Sequence, residues 1–382
     1  MLHKMNKIAF ITQNLYFGGV QRVVSKLANH FAENNYVSIV LFENKPIAFD
    51  IDERVKIHIL PEKALSALVL SKKDVGPTLK AGEELYNDRV SHLKELVRHI
   101  DADVFVSFED YNNLISIEAA KSVLKEKKLI VSSRVSIENQ YKGAFVHLLN
   151  NDFYVNHIKK LYKKADRVIS VSEGVRLELQ QLGIGSVVIQ NGIDINEINT
   201  LTREDTEFKD YIVNVGRLYN KQKGQEDLIK AFAMIKDSIK ENMIIVGDGP
   251  DREYLEEMIK GINLENRIEV AGFSRNPYKY MKNSKFFVFP SYYEGFPNTL
   301  IEAMACGCAC VSYDFASCFS VADNGKYIKL VETGNIEGLA NVIKEFCKDG
   351  DMLSFYKKAA AERAKDFDIS VMLKKWEEVI NS

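Results

Sequence analysis

The stretch VVIQNGIDINEINTLTREDTEFKDYIVNVG, residues 187–216, decides how the chain is divided. It begins with a short apolar run, passes through the polar segment 196–209, and ends in a second apolar run, YIVNVG. On both sides of the polar segment, short β-branched or aromatic runs alternate with longer amphipathic ones. Short, continuously apolar runs are typical of strands that are buried on both faces of a parallel sheet. The sequence therefore predicts that one α/β pattern ends here and a second begins.

The predicted strands are seven runs before the polar segment and six after it: KIAFIT, VSIVLF, VKIHIL, DVFVSF, KLIVSS, RVISVS and VVIQNG, then YIVNVG, MIIVG, RIEVAGF, FFVFPS, CACVSY and YIKLV. Between them apolar residues recur at helical spacing. This alternation predicts an α/β protein with two doubly wound, Rossmann-like domains that face a central cleft. We expect domains at 1–196 and 197–365, followed by a final helix at 366–382.

The composition limits the class of protein. The chain has 382 residues, of which 46% are apolar and 27% charged, and its formal net charge is −2. A dedicated nucleic-acid binder would be basic, and no run approaches the roughly 20 apolar residues of a membrane span. The five cysteines are an odd number, which argues against a disulfide framework. We expect a cytoplasmic protein with reduced thiols.

Cationic residues follow the first predicted strand of the second domain. Arg217 stands at the end of YIVNVG, Lys223 lies in the next loop, and Gly224 permits the turn into a helix. The carboxyl ends of parallel strands form the edge of the sheet at which α/β proteins bind ligands. Arg grips two oxygens at once and Lys supplies a point charge, so the two side chains suit a diphosphate. The alternative is two solvated surface charges.

Two carboxylates bracket a predicted helix start in EGFPNTLIEAMACG, residues 294–307. Pro297 suits the first helical position, because its missing N–H would be unpaired there in any residue. Glu294 in the loop and Glu302 inside the helix can accept hydrogen bonds from hydroxyl groups, or they are ordinary charges near a helix N-terminus. The free N–H groups at the start of this helix would bind an anion: those of Asn298, Thr299 and Leu300.

These motifs resemble those of the family 4 retaining glycosyltransferases, the group 1 glycosyltransferases of bacterial surface-polysaccharide synthesis, which have the GT-B fold. EGFPNTLIE is similar to the E-x7-E signature of that family, and GRLYNKQKG resembles its donor-phosphate motif. YFGGVQR, with Gly18 and Gly19, resembles its glycine-rich loop. Further motifs follow in the order of the family, so that the resemblance covers nearly the whole chain: VISVSEG, VVIQNGID, IIVGDGP, VAGF and EAMACG.

The resemblance implies that 1–196 is an N-terminal acceptor-binding domain, that 197–365 is a C-terminal nucleotide-sugar-binding domain, and that the final helix packs back on the first domain. It also implies a retaining, metal-independent hexosyltransferase that takes a hexose or hexose derivative from a UDP-sugar, without a cofactor. Arg217 and Lys223 would hold the diphosphate, and Glu294 would bind the donor sugar; these are the implied catalytic residues. Fixed cations near the departing diphosphate would each contribute about 3 kcal/mol. The other implied donor-binding residues are Gly18, Gly19, Phe273 beside the base, Phe296, Asn298, Thr299, Leu300, and Glu302 on the ribose.

Two segments depart from the pattern of the family. Many members carry a histidine after the strand that matches KLIVSS, whereas this chain has Arg134 in SSRVSIEN. Arg134 is a candidate contact for the acceptor or the sugar, and a structural role is equally open. Segment 313–325, YDFASCFSVADNG, differs from the usual Gly-Pro-x-Glu region. Two alternatives therefore stay open: a non-catalytic nucleotide-sugar-binding subunit that supports a partner transferase, and a nucleotide-sugar epimerase of the same fold.

Metal and nicotinamide chemistry have weaker support in the sequence. Asp50-Ile51-Asp52 matches the D-x-D of metal-dependent transferases, but its neighbours are typical of a turn. The cysteines of 306–310 do not have the spacing of zinc ligands. An oxidoreductase should show G-x-G-x-x-G after the first strand, where this chain has FGGVQR. We predict no metal site.

Two segments could touch an anionic membrane. HIKKLYKKADR, residues 157–167, combines four lysines with Tyr162 on a predicted helix, and a basic helix with interleaved aromatic residues can lie on anionic lipid. A solvated helix is the common alternative, and nucleic acid is disfavoured by the charge balance. Segment 64–86 is predicted to be a solvated helix or a membrane-touching loop. The first interpretation favours a lipid-linked glycan acceptor, with the protein peripheral on the inner face of the membrane.

Overall fold

The computed structural model describes residues 5–61, 75–121, 123, 127–141 and 149–382. The chain divides into two compact units, Met1–Gln190 with Leu373–Ser382, and Asn191–Met372. The sequence-based bounds of 1–196, 197–365 and 366–382 differ from these units by a few residues. Residues 64–74 of segment 64–86 lie outside the described residues, and the rest of the segment belongs to a helix that begins at Val75.

The first unit contains a sheet that has seven strands among the described residues, all parallel to their neighbours. Its order is β3-β2-β1-β4-β5-β6-β7, where the strands are β1 Lys7–Thr12, β2 Tyr36–Leu41, β3 Lys56–Ile59, β4 Val104–Phe108, β5 Lys128–Ser133, β6 Arg167–Ser170 and β7 Val187–Val188. The connecting helices are α1 Gly19–Ala32, α2 Val75–His99, α3 Asp110–Lys121, α4 Ile137–Tyr141, α5 Asn151–Leu161 and α6 Glu173–Gln181.

The second unit repeats this architecture with six parallel strands among its residues. Its order is β10-β9-β8-β11-β12-β13, where the strands are β8 Tyr211–Val215, β9 Asn242–Val246, β10 Ile268–Gly272, β11 Phe287–Phe289, β12 Cys310–Tyr313 and β13 Lys329–Val331. The helices are α7 Ile195–Leu201, α8 Asn220–Lys223, α9 Gln225–Ile235, α10 Arg252–Gly261, α11 Tyr278–Asn283, α12 Asn298–Ala305, α13 Ala316–Ala322, α14 Ile336–Lys348, α15 Gly350–Ala364 and α16 Ile369–Asn381.

Burial explains why the apolar runs of the sequence form the central strands. All five residues of β4 and all five of β8 are buried, because helices cover both faces of each sheet and leave no face for polar residues. Each of the thirteen predicted runs overlaps a strand. The predicted fold class, two doubly wound parallel sheets, is confirmed.

The order of strands places one crevice in each sheet. In the first sheet β1 lies between β2 and β4, and in the second sheet β8 lies between β9 and β11. The connections on either side of β1 and β8 therefore run in opposite directions, and the loops diverge at the carboxyl ends of these strands. Ligands of open α/β sheets bind at such a topological switch point.

The segment Leu373–Ser382, which contains most of the last helix α16, belongs to the first unit. Trp376 is fully buried there, with its ring centroid 5.5 Å from that of Phe108 at the end of β4. Glu377 Oε1 lies 2.7 Å from Nε2 of His30 on α1. This short segment thus completes the core of the first unit.

No helix within residues 5–61, 75–121, 127–141 and 149–382 combines the length and the apolar composition that crossing a membrane requires.

Candidate functional site

The switch point of the second sheet brings Lys223 and Glu294 together. Lys223 closes α8 after β8, and Glu294 lies in the loop after β11. Lys223 Nζ is 2.5 Å from Glu294 Oε1, and the two side chains are only 17% and 10% exposed. Residues that are 71 positions apart in the chain therefore form one ion pair at the edge of the sheet.

Gly224 fixes the direction in which Lys223 leaves the helix. Its φ is +62°, and a Cβ at this position would lie 2.2 Å from the carbonyl oxygen of Pro290. Only glycine reaches this conformation without strain while it also tolerates such a close backbone approach. The sequence prediction that Gly224 permits a turn into a helix is confirmed, since α9 begins at the next residue.

Neighbouring polar groups orient the carboxylate of Glu294. Gln222 Nε2 donates to Glu294 Oε2 at 3.2 Å, and the hydroxyl of Ser317 donates to the Glu294 carbonyl at 2.9 Å. The amide of Tyr292 donates to the Gln222 carbonyl at 2.8 Å, which ties the two loops together. Ser317 belongs to segment 313–325, so the segment that departs from the family pattern supports the backbone of Glu294.

Arg217 is exposed at the end of β8, with its guanidinium carbon 5.9 Å from the ring centroid of Tyr219. Its carbonyl accepts a hydrogen bond of 3.0 Å from Gln225 Nε2, and Gln225 is fully buried. The backbone of Arg217 is thus anchored while its charge faces solvent. Arg217 and Lys223 leave the same end of β8, where the sequence predicted a diphosphate site.

The start of α12 differs in detail from the prediction. Pro297 is the residue before the helix rather than its first residue, and α12 begins at Asn298. The amide of Asn298 donates to the Phe296 carbonyl at 3.0 Å, and that of Leu300 donates to the Pro297 carbonyl at 3.1 Å. The prediction that all three of the first amides are free is therefore wrong, because the tight turn at Pro297 uses two of them.

The other donor-binding candidates of this unit lie in different environments. Glu302 is 7% exposed and accepts a hydrogen bond of 3.3 Å from the Tyr278 hydroxyl. Phe296 is buried, with its ring 6.0 Å from that of Phe367. Phe273 follows β10 and is 59% exposed. Thr299 is half-buried on the first turn of α12, and Asn298 Oδ1 accepts from Asn191 Nδ2 at 2.8 Å.

The first unit holds the remaining candidates at the carboxyl ends of its strands. Gly18 precedes α1 in an extended conformation, and Gly19 is the first residue of that helix. Arg134 follows β5, is 5% exposed, and donates from Nη1 to the Ser132 hydroxyl at 3.2 Å. Burial lowers the pKa of Arg134 to about 9 against the opposing influence of Glu109, so its guanidinium is still charged at pH 7.

Glu109 is a residue that the sequence analysis missed. It follows β4 directly, and its backbone has φ +73°, a left-handed conformation that is uncommon for a residue with a side chain. Burial raises the pKa of its carboxyl group to about 7. The signal in the sequence was its position, since DVFVSFED places a carboxylate at the end of a continuously apolar strand just as FFVFPSYYE does.

The basic segment 157–167 is only partly as predicted. Its four lysines are exposed, at positions 159, 160, 163 and 164. Tyr162, however, is fully buried, and its hydroxyl donates to Asp110 Oδ1 at 2.6 Å. The prediction of an aromatic side chain on the basic face is therefore wrong, because Tyr162 shares the inward face with Ile158 and Leu161.

The residues considered for metal binding have structural roles. Asp52 Oδ2 lies 2.6 Å from Arg54 Nη2, and the Asp52 carbonyl accepts from the Val55 amide, so a turn begins at Asp52, the last residue of the D-x-D segment. The three cysteines of 306–310 are buried between α12 and β12. In the part of the chain that the structure describes, no group of three or more His, Cys, Asp or Glu side chains is placed to hold a metal ion.

Comparisons with known proteins identify the family. The model described as "Glycosyltransferase Family 4" matches residues 17–197, and that described as "Glycosyl transferases group 1" matches residues 200–363. A relative from Campylobacter jejuni is 31% identical over 370 residues, which are 95% of this chain and 96% of that protein. Its name is N-acetylgalactosamine-N,N'-diacetylbacillosaminyl-diphospho-undecaprenol 4-alpha-N-acetylgalactosaminyltransferase. This chain is a member of glycosyltransferase family 4.

Solved structures match this family 4 glycosyltransferase almost from end to end. The Anabaena protein HepE, in complex with UDP, has a TM-score of 0.73 at 20% identity and covers 98% of this chain and 99% of its own. The sucrose-phosphate synthase of Thermosynechococcus elongatus has a TM-score of 0.80 at 18% identity, with 98% of each chain covered. The GT-B fold that the sequence motifs implied is therefore confirmed.

Proposed function

We propose that this family 4 protein is a retaining hexosyltransferase that moves a hexose or hexose derivative from a UDP-sugar to a lipid-linked glycan in surface polysaccharide or glycoconjugate synthesis. The observation that carries the proposal is the convergence of Arg217, Lys223 and Glu294 on one switch point. Two likenesses support the choice of substrates: the C. jejuni relative is named for transfer of N-acetylgalactosamine to a diphospho-undecaprenol glycan, and HepE was solved with UDP.

In this proposal Arg217 and Lys223 bind the diphosphate of the donor. Negative charge grows on the diphosphate as the bond to the sugar breaks, and fixed cations stabilise that charge by about 3 kcal/mol each. These two side chains supply positive charge where a metal-dependent transferase would use an ion. Transfer in the presence of EDTA, at the rate measured without it, is the expected result.

Glu294 binds a hydroxyl of the donor sugar through a carboxylate that Gln222 orients, on a backbone that Ser317 supports. Glu302 binds the ribose, and its hydrogen bond from Tyr278 fixes one carboxylate oxygen for that purpose. Phe273 lies beside the base. The remaining donor contacts that we propose are Gly18, Gly19, Phe296, Asn298, Thr299 and Leu300, and Arg134 is a contact of the acceptor or the sugar.

The test is acceptor-dependent release of nucleotide. Purified protein is incubated with UDP-, GDP-, ADP- and dTDP-sugars, with and without a diphospho-undecaprenol glycan that ends in N-acetylhexosamine. Release from a UDP-sugar that requires the acceptor and falls at least 100-fold in Arg217→Ala and Glu294→Ala supports the proposal, and NMR of the product reads the anomeric configuration. Binding of UDP without transfer to any acceptor would favour the non-catalytic subunit, and a free epimerised sugar would favour the epimerase.

We also propose a cytoplasmic protein in peripheral contact with the inner, anionic face of the membrane. The support is electrostatic, from the exposed lysines of 157–167, because Tyr162 is buried. Lys159→Glu/Lys160→Glu should weaken co-sedimentation with anionic vesicles, by about 1 kcal/mol per lysine. Lys374 and Lys375, also adjacent and exposed in the first unit, give the matched double-variant control. Equal binding to neutral vesicles would contradict this contact.

A further inference from the structure

The first sheet has a switch point of its own, between β1 and β4, at the same place in the strand order as the one between β8 and β11. In the second sheet this position carries the Lys223–Glu294 pair. In the first sheet it is flanked by the loop after Thr12 and by Glu109, the first residue after β4. The first unit therefore has a crevice at the same point of its strand order as the proposed donor site in the second unit.

The backbone of Glu109 is held in a strained conformation by its surroundings. Its φ of +73° belongs to the left-handed region, which costs energy for any residue except glycine. The Glu109 amide donates to the Ser132 carbonyl at 3.1 Å, and the Asn113 amide donates to the Glu109 carbonyl at 2.8 Å. These bonds to β5 and α3 fix the direction of the side chain. Strain of this kind clusters at ligand-binding positions.

Polar groups of β1 and α3 surround the carboxylate. Asn112 Nδ2 donates to Glu109 Oε2 at 3.2 Å, and the Thr12 hydroxyl lies 3.5 Å from the same oxygen. Within the described residues, the side-chain oxygens Asn112 Oδ1 and Gln13 Oε1 are buried and have no hydrogen-bond partner. Asn112 is 1% exposed and Gln13 is 8% exposed. Buried polar atoms are normally satisfied, so these acceptors point to a missing polar ligand.

Aromatic side chains lie on the loop that leaves β1. Tyr16 and Phe17 are 45% and 52% exposed, and their ring centroids are 4.9 Å apart in an edge-to-face arrangement. Ligand sites combine aromatic surface with a few placed polar groups. The face of a sugar ring is apolar and its rim carries hydroxyl donors, so a sugar matches this combination.

We infer that Glu109, Asn112 and Gln13 form a subsite for the acceptor glycan, in which the Glu109 carboxylate accepts a hydrogen bond from a hydroxyl of its terminal sugar. This inference rests on the proposed function and adds a specificity-determining residue to it. The acceptor hydroxyl donates to Glu109, and the sugar's N–H or O–H groups satisfy the two buried amide oxygens.

The charge of Glu109 depends on pH in the physiological range. Burial raises the pKa of its carboxyl group to about 7, and the nearby carboxylates of Asp110 and Glu43 act in the same direction. Arg134 faces it from the end of β5 and favours the ionised form. An ionised carboxylate is the stronger acceptor, so acceptor recognition should weaken as the pH falls below about 7.

The experiment compares acceptor and donor parameters of the full chain. For Glu109→Gln we expect an acceptor KM at least tenfold higher and an unchanged affinity for UDP by calorimetry. Asp110→Asn is the matched control, because it neutralises the adjacent carboxylate. Asp110 is only 1% exposed and accepts a hydrogen bond from the Tyr162 hydroxyl, so we do not expect it to contact the acceptor. Its acceptor KM should be that of the wild type, and thermal unfolding reports whether each variant is folded.

A second measurement needs no variant. In the wild type, kcat/KM for the acceptor should fall about tenfold between pH 8 and pH 6, while the affinity for UDP stays constant; Glu109→Gln should lack this step. An acceptor KM unchanged in folded Glu109→Gln, or a wild-type profile without the step, overturns the inference even if transfer occurs. Absence of wild-type transfer to any acceptor overturns the proposed function, and the inference that depends on it fails with it.

Discussion

Replacing Glu294 with Gln preserves the shape of the side chain and removes the charge that faces Lys223. In the proposed reaction both members of this ion pair change partners: Lys223 turns to the diphosphate, and Glu294 turns to the donor sugar. The bond between them, at 2.5 Å and with side chains 17% and 10% exposed, therefore opposes binding of the nucleotide alone. Glu294→Gln separates these two effects, because it weakens the competing bond but leaves Lys223 in place.

The size of the effect follows from the geometry of the pair. A hydrogen bond to a charged group contributes about 1.5–3 kcal/mol, whereas a neutral one contributes about 1 kcal/mol. Gln can still accept a hydrogen bond from the Lys223 ammonium, but this bond lacks the attraction of a carboxylate charge, so the variant loses about 1–2 kcal/mol of unfolding free energy. When UDP binds to the variant, it competes with a Lys223 bond that is weaker by this amount, and 1.4 kcal/mol corresponds to a tenfold change in Kd. UDP should therefore bind about tenfold more tightly while transfer slows at least 100-fold.

The assay combines calorimetric titration with UDP, urea unfolding and acceptor-dependent turnover. Glu241→Gln is the control, because Glu241 and Lys285 form another ion pair with a 2.5 Å Nζ–Oε1 distance, in which the carboxylate side chain is 3% exposed. That pair lies at the amino ends of the strands of the same sheet, because Glu241 precedes β9 and Lys285 precedes β11. The control should lose stability without any change in UDP affinity. UDP affinity that is unchanged or weaker in Glu294→Gln would refute the competition between Glu294 and the diphosphate.

Three further predictions concern stability, each measured by urea unfolding. Gly224→Ala should lower the unfolding free energy more than Gly307→Ala. Both glycines have positive φ, which costs alanine about 1 kcal/mol of strain, but only at Gly224 would the added Cβ lie 2.2 Å from the Pro290 carbonyl oxygen. Equal losses of stability would contradict this clash. Because the pKa of Glu109 is raised from 4.5 to about 7, the folded state holds a proton between these values that the unfolded chain has released, and stability falls as the pH rises through this range. Glu109→Gln, which carries no such charge, should match the wild type at pH 4 and exceed its unfolding free energy by about 3 kcal/mol at pH 8; a constant difference would contradict this assignment. Tyr162→Phe removes buried hydrogen bonds of 2.6 and 2.9 Å, so its unfolding free energy should fall by about 2 kcal/mol while its binding to vesicles stays unchanged. Weaker vesicle binding would indicate that Tyr162 contacts the membrane.

Strand positions could be predicted because burial on both faces imposes a simple pattern. In β4 and β8 every residue is buried, and the runs DVFVSF and YIVNVG display this directly. The meeting of Lys223 and Glu294 was also accessible in outline, since both follow strand ends. Their pairing as an ion pair depends on β8 and β11 being neighbours, and that order of strands is a property of the whole sheet rather than of either segment.

The errors have local physical causes. The lysines around Tyr162 suggested an outward aromatic ring, although Ile158, Leu161 and Tyr162 have the i, i+3, i+4 spacing of one helix face. At α12 the turn at Pro297 uses amides that a regular helix would leave free, a detail of dihedral angles that composition does not encode. Glu109 was missed because its role depends on the convergence of separate strand ends.

The return of Leu373–Ser382 to the first unit sets the rule for building chimeric transferases from this chain. A graft that exchanges everything after Gln190 would import a foreign tail and remove Trp376, whose ring fills the space next to Phe108. Two crossover points are needed, one after Gln190 and one within α16 before Leu373. A recombinant made with both crossovers keeps the native hydrophobic core of the first unit and changes only the second unit.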